Sequence, residues 1–147
     1  MRVYDRMKTS LQQKALVSLM CASGRIRRQF GDVVGEHGLG SSQYNILRIL
    51  RGAGGALPIM TIRARMIDPE PSITRLVDRL EERGLIRRVP SSEDRRRVEC
   101  QLTVEGREMV DALDKPVDDR DRDLMSRLNR KDIEALIDLL DRVGLPE

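Results

Sequence analysis

The stretch between residues 72 and 102 constrains the fold of this chain more than any other part of the sequence. Up to Arg83 its apolar residues recur three and four positions apart, which predicts an amphipathic helix with one buried face. These apolar residues are Ile73, Leu76, Val77 and Leu80. Gly84 then stands where a helix commonly ends in a left-handed residue. Two short β-like runs follow, at 85–89 and 97–102, and they predict a hairpin directly behind the helix.

The predicted hairpin has one apolar face and a basic tip. Val98, Cys100 and Leu102 alternate with charged or polar residues, so they are predicted to face inward. The loop between the two runs contains the sequence Asp-Arg-Arg at residues 94–96. A helix with a polar, arginine-bearing first turn, followed by such a hairpin, is the form of a winged helix-turn-helix.

A long helix is predicted before this unit, from residue 4 to residue 34. Its apolar residues recur at helical spacing and are Ala15, Leu19, Ala22, Ile26, Phe30 and Val33. A winged-helix domain cannot cover a helix of this length by itself. Part of the apolar stripe therefore requires a partner outside that domain.

The segment after the long helix is predicted to supply the rest of the helix-turn-helix. A second helix opens at Ser41 or Ser42, since either hydroxyl can cap the free backbone amides. A short strand near 57–59 can become the third strand of the sheet. Residues 61–67 are predicted to form the first helix of the helix-turn-helix. Its inward-facing residues are Ile62 and Met66.

The residues after the hairpin predict further helices. Thr103 caps a helix that Pro116 must kink or interrupt. The apolar side of that helix contains Met109, Val110 and Leu113. Asn129 and Asp132 form a cap for a last helix. The apolar residues of the last helix are Ile133, Leu136, Ile137 and Leu140. Together with the long first helix, these helices are predicted to form one dimer interface.

The distribution of charge favours an anionic partner for the first part of the chain. Residues 1–107 hold 20 Lys and Arg against 12 Asp and Glu, whereas residues 108–147 hold 7 against 12. The basic part is the part with the hairpin pattern. Positive charge supplies the sequence-independent share of DNA affinity, because it releases counterions from the phosphates.

The sequence also argues against several classes of function. One histidine, two distant cysteines and the absence of a glycine-rich phosphate loop offer neither a catalytic centre nor a metal site. We therefore expect no enzymatic activity, no cofactor and no metal. No run is apolar enough to cross a bilayer, and charges interrupt the N-terminus where a signal peptide is apolar. A cytoplasmic protein without a membrane partner is expected.

Four stretches of the chain resemble the MarR family of bacterial transcriptional regulators. They are SSQYNILRIL (41–50), SITRLVDRLEERGLIRR (72–88), SSEDRRRVECQLTVEGRE (91–108) and, more loosely, the last helix at 129–143. The most specific element is Asp-Arg-Arg at 94–96, eight residues before Leu-Thr and followed by Gly106. The chain departs from the family pattern at Arg63, where a small residue is common, and in the turn IDPEP. This departure leaves the crossing of the two helices open.

The resemblance implies one MarR-like domain over residues 1–147, mainly α with a small β-wing. Residues 41–103 would form the winged helix-turn-helix, and 4–34 and 104–145 the dimerisation helices. The implied protein is a homodimer that binds a pseudo-palindromic operator in double-stranded DNA, usually as a repressor. A small phenolic or anionic ligand, bound between the dimer helices and the winged helix, would release it.

The residues that this reading assigns to DNA lie on the recognition helix and in the wing. They are Ser72, Thr74, Arg75, Arg79, Asp94, Arg95, Arg96 and Arg97. Asp94 can hold Arg96 through a carboxylate–guanidinium pair, while the wing arginine that remains free enters a minor groove. Which arginine that is stays open at this point.

Two alternatives compete with a ligand-released DNA-binding repressor. One is a protein-interaction module that kept the winged-helix shape and lost DNA binding. The other is a cysteine-based redox sensor. Cys100 is predicted to be packed and inert, whereas Cys21 lies off the main apolar stripe, one and two helical turns before Arg25 and Arg28. Cys21 does not occupy the position of the family's peroxide-sensing cysteine. The lone His37 is predicted to be an exposed loop residue.

Overall fold

The computed structural model describes residues 9–144, which form seven helices and three short strands. The helices are α1 (Leu11–Gly35), α2 (Ser41–Ala53), α3 (Ile59–Arg65), α4 (Ile73–Glu82), α5 (Val104–Ala112), α6 (Asp114–Met125) and α7 (Arg130–Leu140). The strands are β1 (Leu57–Pro58), β2 (Ile86–Pro90) and β3 (Val98–Leu102). The predicted fold class, mainly α with a small β-wing, is confirmed.

The long first helix begins at Leu11 in the described part of the chain. Ser10 caps it, since its hydroxyl oxygen accepts a hydrogen bond from the backbone N–H of Gln13 at 3.1 Å. Residues 4–8 of the predicted helix lie outside the described residues, as does residue 145 at the predicted C-terminal end. None of the helices between residues 9 and 144 is long and apolar enough to span a membrane.

The predicted third strand joins the hairpin, and the three strands form an antiparallel sheet in the order β1-β3-β2. Cys100 of β3 lies at its centre, paired with Leu57 on one side and Arg88 on the other. Cys100 is fully buried, but Val98 is 52% exposed, so the prediction that Val98 packs inward was wrong. The reason is its position, because Val98 pairs with Pro90 at the far end of the hairpin, beyond the core.

The hydrophobic core lies where α2, α4 and α5 meet the sheet. The fully buried residues that anchor it are Ile46, Leu47 and Leu50 of α2, Val77 and Leu80 of α4, and Val110 of α5. Ile62 and Met66 are also buried, as predicted. The helix that carries Ile62 runs from Ile59 to Arg65, so it begins and ends two residues earlier than predicted. Pro58 precedes its first residue and ends β1, which is therefore shorter than the predicted strand.

Gly106 marks the closest approach between α5 and the hairpin. A Cβ atom at residue 106 would lie 1.9 Å from the carbonyl oxygen of Leu85. Thr103 causes this approach. Its hydroxyl accepts from the N–H of Gly106 at 3.0 Å and donates to the carbonyl of Gly84 at 2.7 Å, and its own N–H donates to Leu85 at 3.2 Å. The predicted cap at Thr103 is confirmed, and α5 is tied to the end of α4 through it.

The predictions for the other helix ends differ in outcome. Asn129 and Asp132 cap α7 reciprocally, as predicted, at 3.0 and 3.1 Å. The predicted break at Pro116 is confirmed, since α5 ends at Ala112 and Pro116 lies in the first turn of α6, where no partner for its nitrogen is needed. The predicted serine cap of α2 was wrong. Gly40 is the cap residue, and its N–H donates to Gln43 at 3.0 Å.

Candidate nucleic-acid interface

Helix α4 presents a polar surface on the side opposite its buried face. Ile73, Val77 and Leu80 hold it in the core. The four recognition-helix residues predicted to meet DNA are all exposed and are Ser72, Thr74, Arg75 and Arg79. Ser72 is the cap residue, but its side chain makes no cap bond within the described residues and leaves the free amides of the first turn uncovered. Within residues 9–144, the guanidinium groups of Arg75 and Arg79 have no hydrogen-bond or ion-pair partner.

The wing loop is an ordered turn built on Asp94. The N–H of Ser91 donates to the carbonyl of Arg97, and the N–H of Arg97 donates to the carbonyl of Asp94, both at 2.8 Å. The Asp94 carboxylate accepts from the backbone N–H of Arg96 at 3.0 Å and lies 3.8 Å from Nε of Arg97. The predicted carboxylate–guanidinium pair between Asp94 and Arg96 was therefore wrong. The side chains of Arg95 and Arg96 have no partner in the described part of the chain.

The recognition helix and the wing are joined through Arg88 on β2. Its guanidinium donates to the carboxylates of Asp78 and Glu81 on α4, and its backbone N–H donates to Oε1 of Glu81 at 3.0 Å. That backbone bond lowers the pKa of Glu81, and the bond to Asp78 raises the pKa of Arg88. Sequence reasoning missed this cluster. The spacing of Asp78 and Glu81 on one helical face was the available signal, but it does not identify a partner.

The turn before α4 is held by residues of α1 and α2. Asp68 forms an ion pair with Arg27 at 2.6 Å, and Glu70 accepts from the hydroxyl of Ser42 at 2.9 Å. Arg63, which stands where a small residue is common in the family, donates through Nε to the carbonyl of Glu70 at 3.2 Å. The two carboxylates nearest the start of the recognition helix are thus occupied by partners within the protein.

Comparison with known proteins agrees with this architecture. Residues 37–97 match the family model described as "MarR family". The transcriptional regulator FarR of Neisseria gonorrhoeae is 30% identical over 124 residues, which cover 84% of each chain. The crystal structure of a MarR transcription factor from Planctomyces limnophilus is 31% identical, with a TM-score of 0.70 over 93% of this chain and 100% of that one. The chain belongs to the MarR family.

Membership in the MarR family makes this chain a DNA-binding transcriptional regulator of the winged helix-turn-helix class. A further similar structure is that of NadR in complex with 4-hydroxyphenylacetate. It is 28% identical, with a TM-score of 0.69 over 92% of this chain and 94% of that chain.

In this MarR-family chain, an aromatic and charged cluster lies where α1 and α6 meet α2. The rings of Phe30 and Tyr44 lie 5.5 Å apart, and the guanidinium of Arg48 is 5.9 Å from the Tyr44 ring centre. Burial raises the pKa of Tyr44. Arg51 of α2 donates to both carboxylate oxygens of Asp114 at 2.7 and 2.9 Å and to Asp111 at 2.6 Å. The hydrogen bonds from Arg51 lower the pKa of Asp114.

The two cysteines of this MarR-family chain have different environments. Cys100 is buried as predicted, and burial raises the pKa of its thiol. Cys21 is exposed on α1, beside an open groove that Arg25 and Arg28 also line. The prediction that His37 is exposed was wrong, because the residue is half-buried and its Nδ1 lies 3.4 Å from the carbonyl oxygen of Val33. No group of three metal-ligating side chains occurs among the described residues.

Proposed function

We propose that this protein is a homodimeric repressor that binds a pseudo-palindromic operator through α4 and the wing, in the cytoplasm and without catalysing a reaction. The observation that carries the proposal is the distribution of unpaired arginines. Arg27, Arg51 and Arg88 are bound to carboxylates. Within residues 9–144, four arginines of the recognition helix and the wing tip are not bound to carboxylates. On these two elements, the arginines whose side chains have no partner among the described residues are Arg75, Arg79, Arg95 and Arg96.

On the recognition helix, the first turn would read the bases. Thr74 and Arg75 project from it, and a helix that enters the major groove presents its first turns to base edges. An arginine there can bind guanine through two hydrogen bonds. The uncapped amides after Ser72 fit a backbone phosphate, because the start of a helix attracts anions. Arg79, one turn further along, would bind the backbone.

In the wing, the turn built on Asp94 would present arginines to the adjacent groove. Asp94 holds the main chain of Arg96 and lies beside Nε of Arg97, so it shapes the loop and leaves Arg95 and Arg96 to project. A narrow minor groove has an enhanced negative potential that attracts such side chains. We assign Arg95 and Arg96 to this groove and its phosphates.

A dimer would cover the apolar surface that the two ends of the chain leave exposed. On α1 the exposed large apolar residues are Leu11, Leu16, Met20 and Ile26, and on and after α7 they are Ile137, Leu139, Leu140 and Val143. We propose that α1 and α5 to α7, within 4–34 and 104–145, form the dimer and that 41–103 forms the DNA-binding unit. Two such units related by a twofold axis would meet half-sites about 10 base pairs apart.

The proposed effector is a small phenolic or anionic compound bound beside Tyr44 and Arg48. The complex of NadR with 4-hydroxyphenylacetate gives an example of such a ligand in a similar protein. In this chain, the half-buried Phe30 offers aromatic surface beside the buried Tyr44, and Arg48 offers a cation that is exposed to solvent. A ligand bound there would contact both α1 and α2, so it could change the angle between the dimer helices and the DNA-binding unit.

The decisive test measures binding to two duplexes, one selected by the wild-type protein from a random pool and one with that sequence scrambled. Arg75→Ala should cost about 1–3 kcal/mol on the selected duplex and little on the scrambled one, because a base contact is lost. Arg130→Ala is the control. It removes an equal charge from an exposed residue of α7, where Arg130 pairs with Glu134, and should change neither. Equal losses on both duplexes would reassign Arg75 to phosphate.

The wing is tested by the salt dependence of binding. Replacing Arg95 and Arg96 by alanine should weaken binding to both duplexes and reduce the slope of log affinity against log salt by about 1–2. An unchanged slope would remove the wing from the interface. If the wild type bound neither selected nor random DNA at low salt, the protein would be an interaction module instead.

A further inference from the structure

We propose that Arg88 is a positioning residue for DNA recognition, which sets the angle between the recognition helix and the wing by bridging Asp78 and Glu81 and does not bind DNA itself. The inference rests on the proposed function of α4 and the wing. It assigns a specificity role to three residues outside the predicted DNA-contacting set.

The geometry of the bridge uses several groups of Arg88 at once. Nη2 donates to Asp78, Nη1 donates to one oxygen of Glu81, and the backbone N–H donates to the other oxygen at 3.0 Å. The Arg88 side chain is only 28% exposed. Because one residue binds two carboxylates a helical turn apart through both its side chain and its main chain, β2 cannot rotate relative to α4 without breaking at least one of these bonds.

The position of the bridge connects it to both DNA-reading elements. Asp78 directly precedes Arg79 and follows Arg75 by three residues on α4, so a rotation of the helix at Asp78 displaces both arginines. On the other side, Arg88 lies three residues before Ser91, whose N–H closes the wing turn. The bridge therefore fixes the recognition helix and the wing tip relative to each other.

The charge of the cluster argues against a role in attracting DNA. Two carboxylates and one guanidinium leave a net negative charge beside a surface proposed to meet phosphates, which weakens binding to any DNA sequence. An arginine bound to two carboxylates is also not free to bind phosphate. What the cluster can contribute is geometry, and geometry acts on the preference for one sequence over others.

The experiment replaces the two acids by their isosteric amides, Asp78→Asn and Glu81→Gln, and measures binding to the selected and scrambled duplexes. Electrostatics alone would raise the affinity for both equally, because two negative charges are removed. We expect the scrambled duplex to bind as well as before or better. The preference for the selected duplex should fall about tenfold, within the factor of about 5–150 that one base contact provides. An unchanged preference would overturn the proposal, including the case in which binding to both duplexes is weakened equally.

A double-mutant cycle separates positioning from general damage to the fold. In an Arg88→Met background, the effect of Arg96→Ala on the selected duplex should shrink at least about threefold, because the wing is no longer held in place. Arg87→Met is the matched control. It lies on the same strand, is exposed and donates to Gln101, and the effect of Arg96→Ala should persist in that background. Persistence in the Arg88→Met background as well would refute positioning.

The conservative variant Arg88→Lys provides a third readout. An ammonium group cannot bridge two carboxylates as a planar fork, so lysine should keep the charge without restoring sequence preference. Full rescue by lysine would mean that charge alone matters and would overturn the proposal. If the wild type selects no sequence from the pool, the proposed DNA-binding function fails. If it does, and the amide variants keep its preference, only the role of Arg88 fails.

Discussion

Gly106→Ala is the substitution whose effect follows most directly from the packing of α5 against the hairpin. The added Cβ would lie 1.9 Å from the carbonyl oxygen of Leu85 and 2.9 Å from Cδ1 of Leu102. The nearer atom belongs to the backbone, so no side-chain rotation can relieve the overlap. Either α5 or the start of β2 must shift by roughly 1 Å or more to restore an ordinary contact.

The expected cost combines three effects. Overpacking at such a site costs about 1–3 kcal/mol. The shift also strains the bonds from Thr103 to Gly84 and Leu85, at 2.7 and 3.2 Å, and each such bond contributes about 1 kcal/mol. Alanine recovers roughly 1 kcal/mol over glycine through its helix propensity. We therefore expect the free energy of unfolding to fall by about 2–3 kcal/mol, the sum of these terms with partial strain of the two bonds.

The assay is urea denaturation followed by circular dichroism, at one protomer concentration for all variants because a dimer's stability depends on concentration. Gly52→Ala is the matched control. Gly52 lies within α2, and nothing lies within 4 Å of its Cβ position, so the same substitution should raise stability by about 0.5–1 kcal/mol. A Gly106→Ala protein as stable as the wild type would refute the close approach of α5 to Leu85.

Three further predictions concern the interior of the fold, the assembly and the thiols. Arg51→Met should lower the free energy of unfolding by about 1 kcal/mol at neutral pH. The folded-state pKa of Asp114 is depressed, so this contribution is present above the ordinary carboxyl pKa of about 4 and is lost as the pH falls through the lower folded-state pKa. Urea denaturation of both proteins, at neutral pH and again well below the ordinary carboxyl pKa, would measure that loss. Light scattering should give twice 16.8 kDa at micromolar concentration, and a clean monomer would exclude the dimer. A thiol reagent should label Cys21 in the native protein and Cys100 only after unfolding. If peroxide released the wild-type protein from DNA and Cys21→Ser abolished this release, the protein would be a redox sensor and the ligand model would be wrong.

Much of this fold was predictable because its signals are local in the chain. The caps at Thr103 and at Asn129 with Asp132 use residues three apart, and a helix brings such residues together wherever it packs. Gly84 has a φ of +70°, as its position after α4 predicted, because a helix end commonly needs a left-handed residue. The hairpin followed from alternation, and a third strand near residues 57–59 was predicted from the sequence, whereas its pairing with β3 came from the structure.

The predictions failed where a residue's environment depends on distant parts of the chain. Alternation assigned Val98 to the inner face of the hairpin, but the core does not extend to that end of the strand. Ser42 could have capped α2 from sequence alone, yet its hydroxyl bonds to Glu70, which lies 28 residues away. A polar side chain with a choice of partners takes the one that the fold brings closest, and sequence spacing does not contain that information.

For the candidate site, too, the local features were predictable from the sequence and the long-range contacts were not. The sequence by itself determined which residues are available to DNA, because an arginine-bearing helix face and a basic hairpin tip are local patterns. Only the tertiary structure decided which arginines are free. It bound Arg88 to Asp78 and Glu81 and placed Asp94 against the main chain of Arg96, leaving the side chains of Arg95 and Arg96 without partners among the described residues. Ion pairs form at distances of a few ångströms, and with many charged residues in the chain only the three-dimensional fold selects which of them come that close.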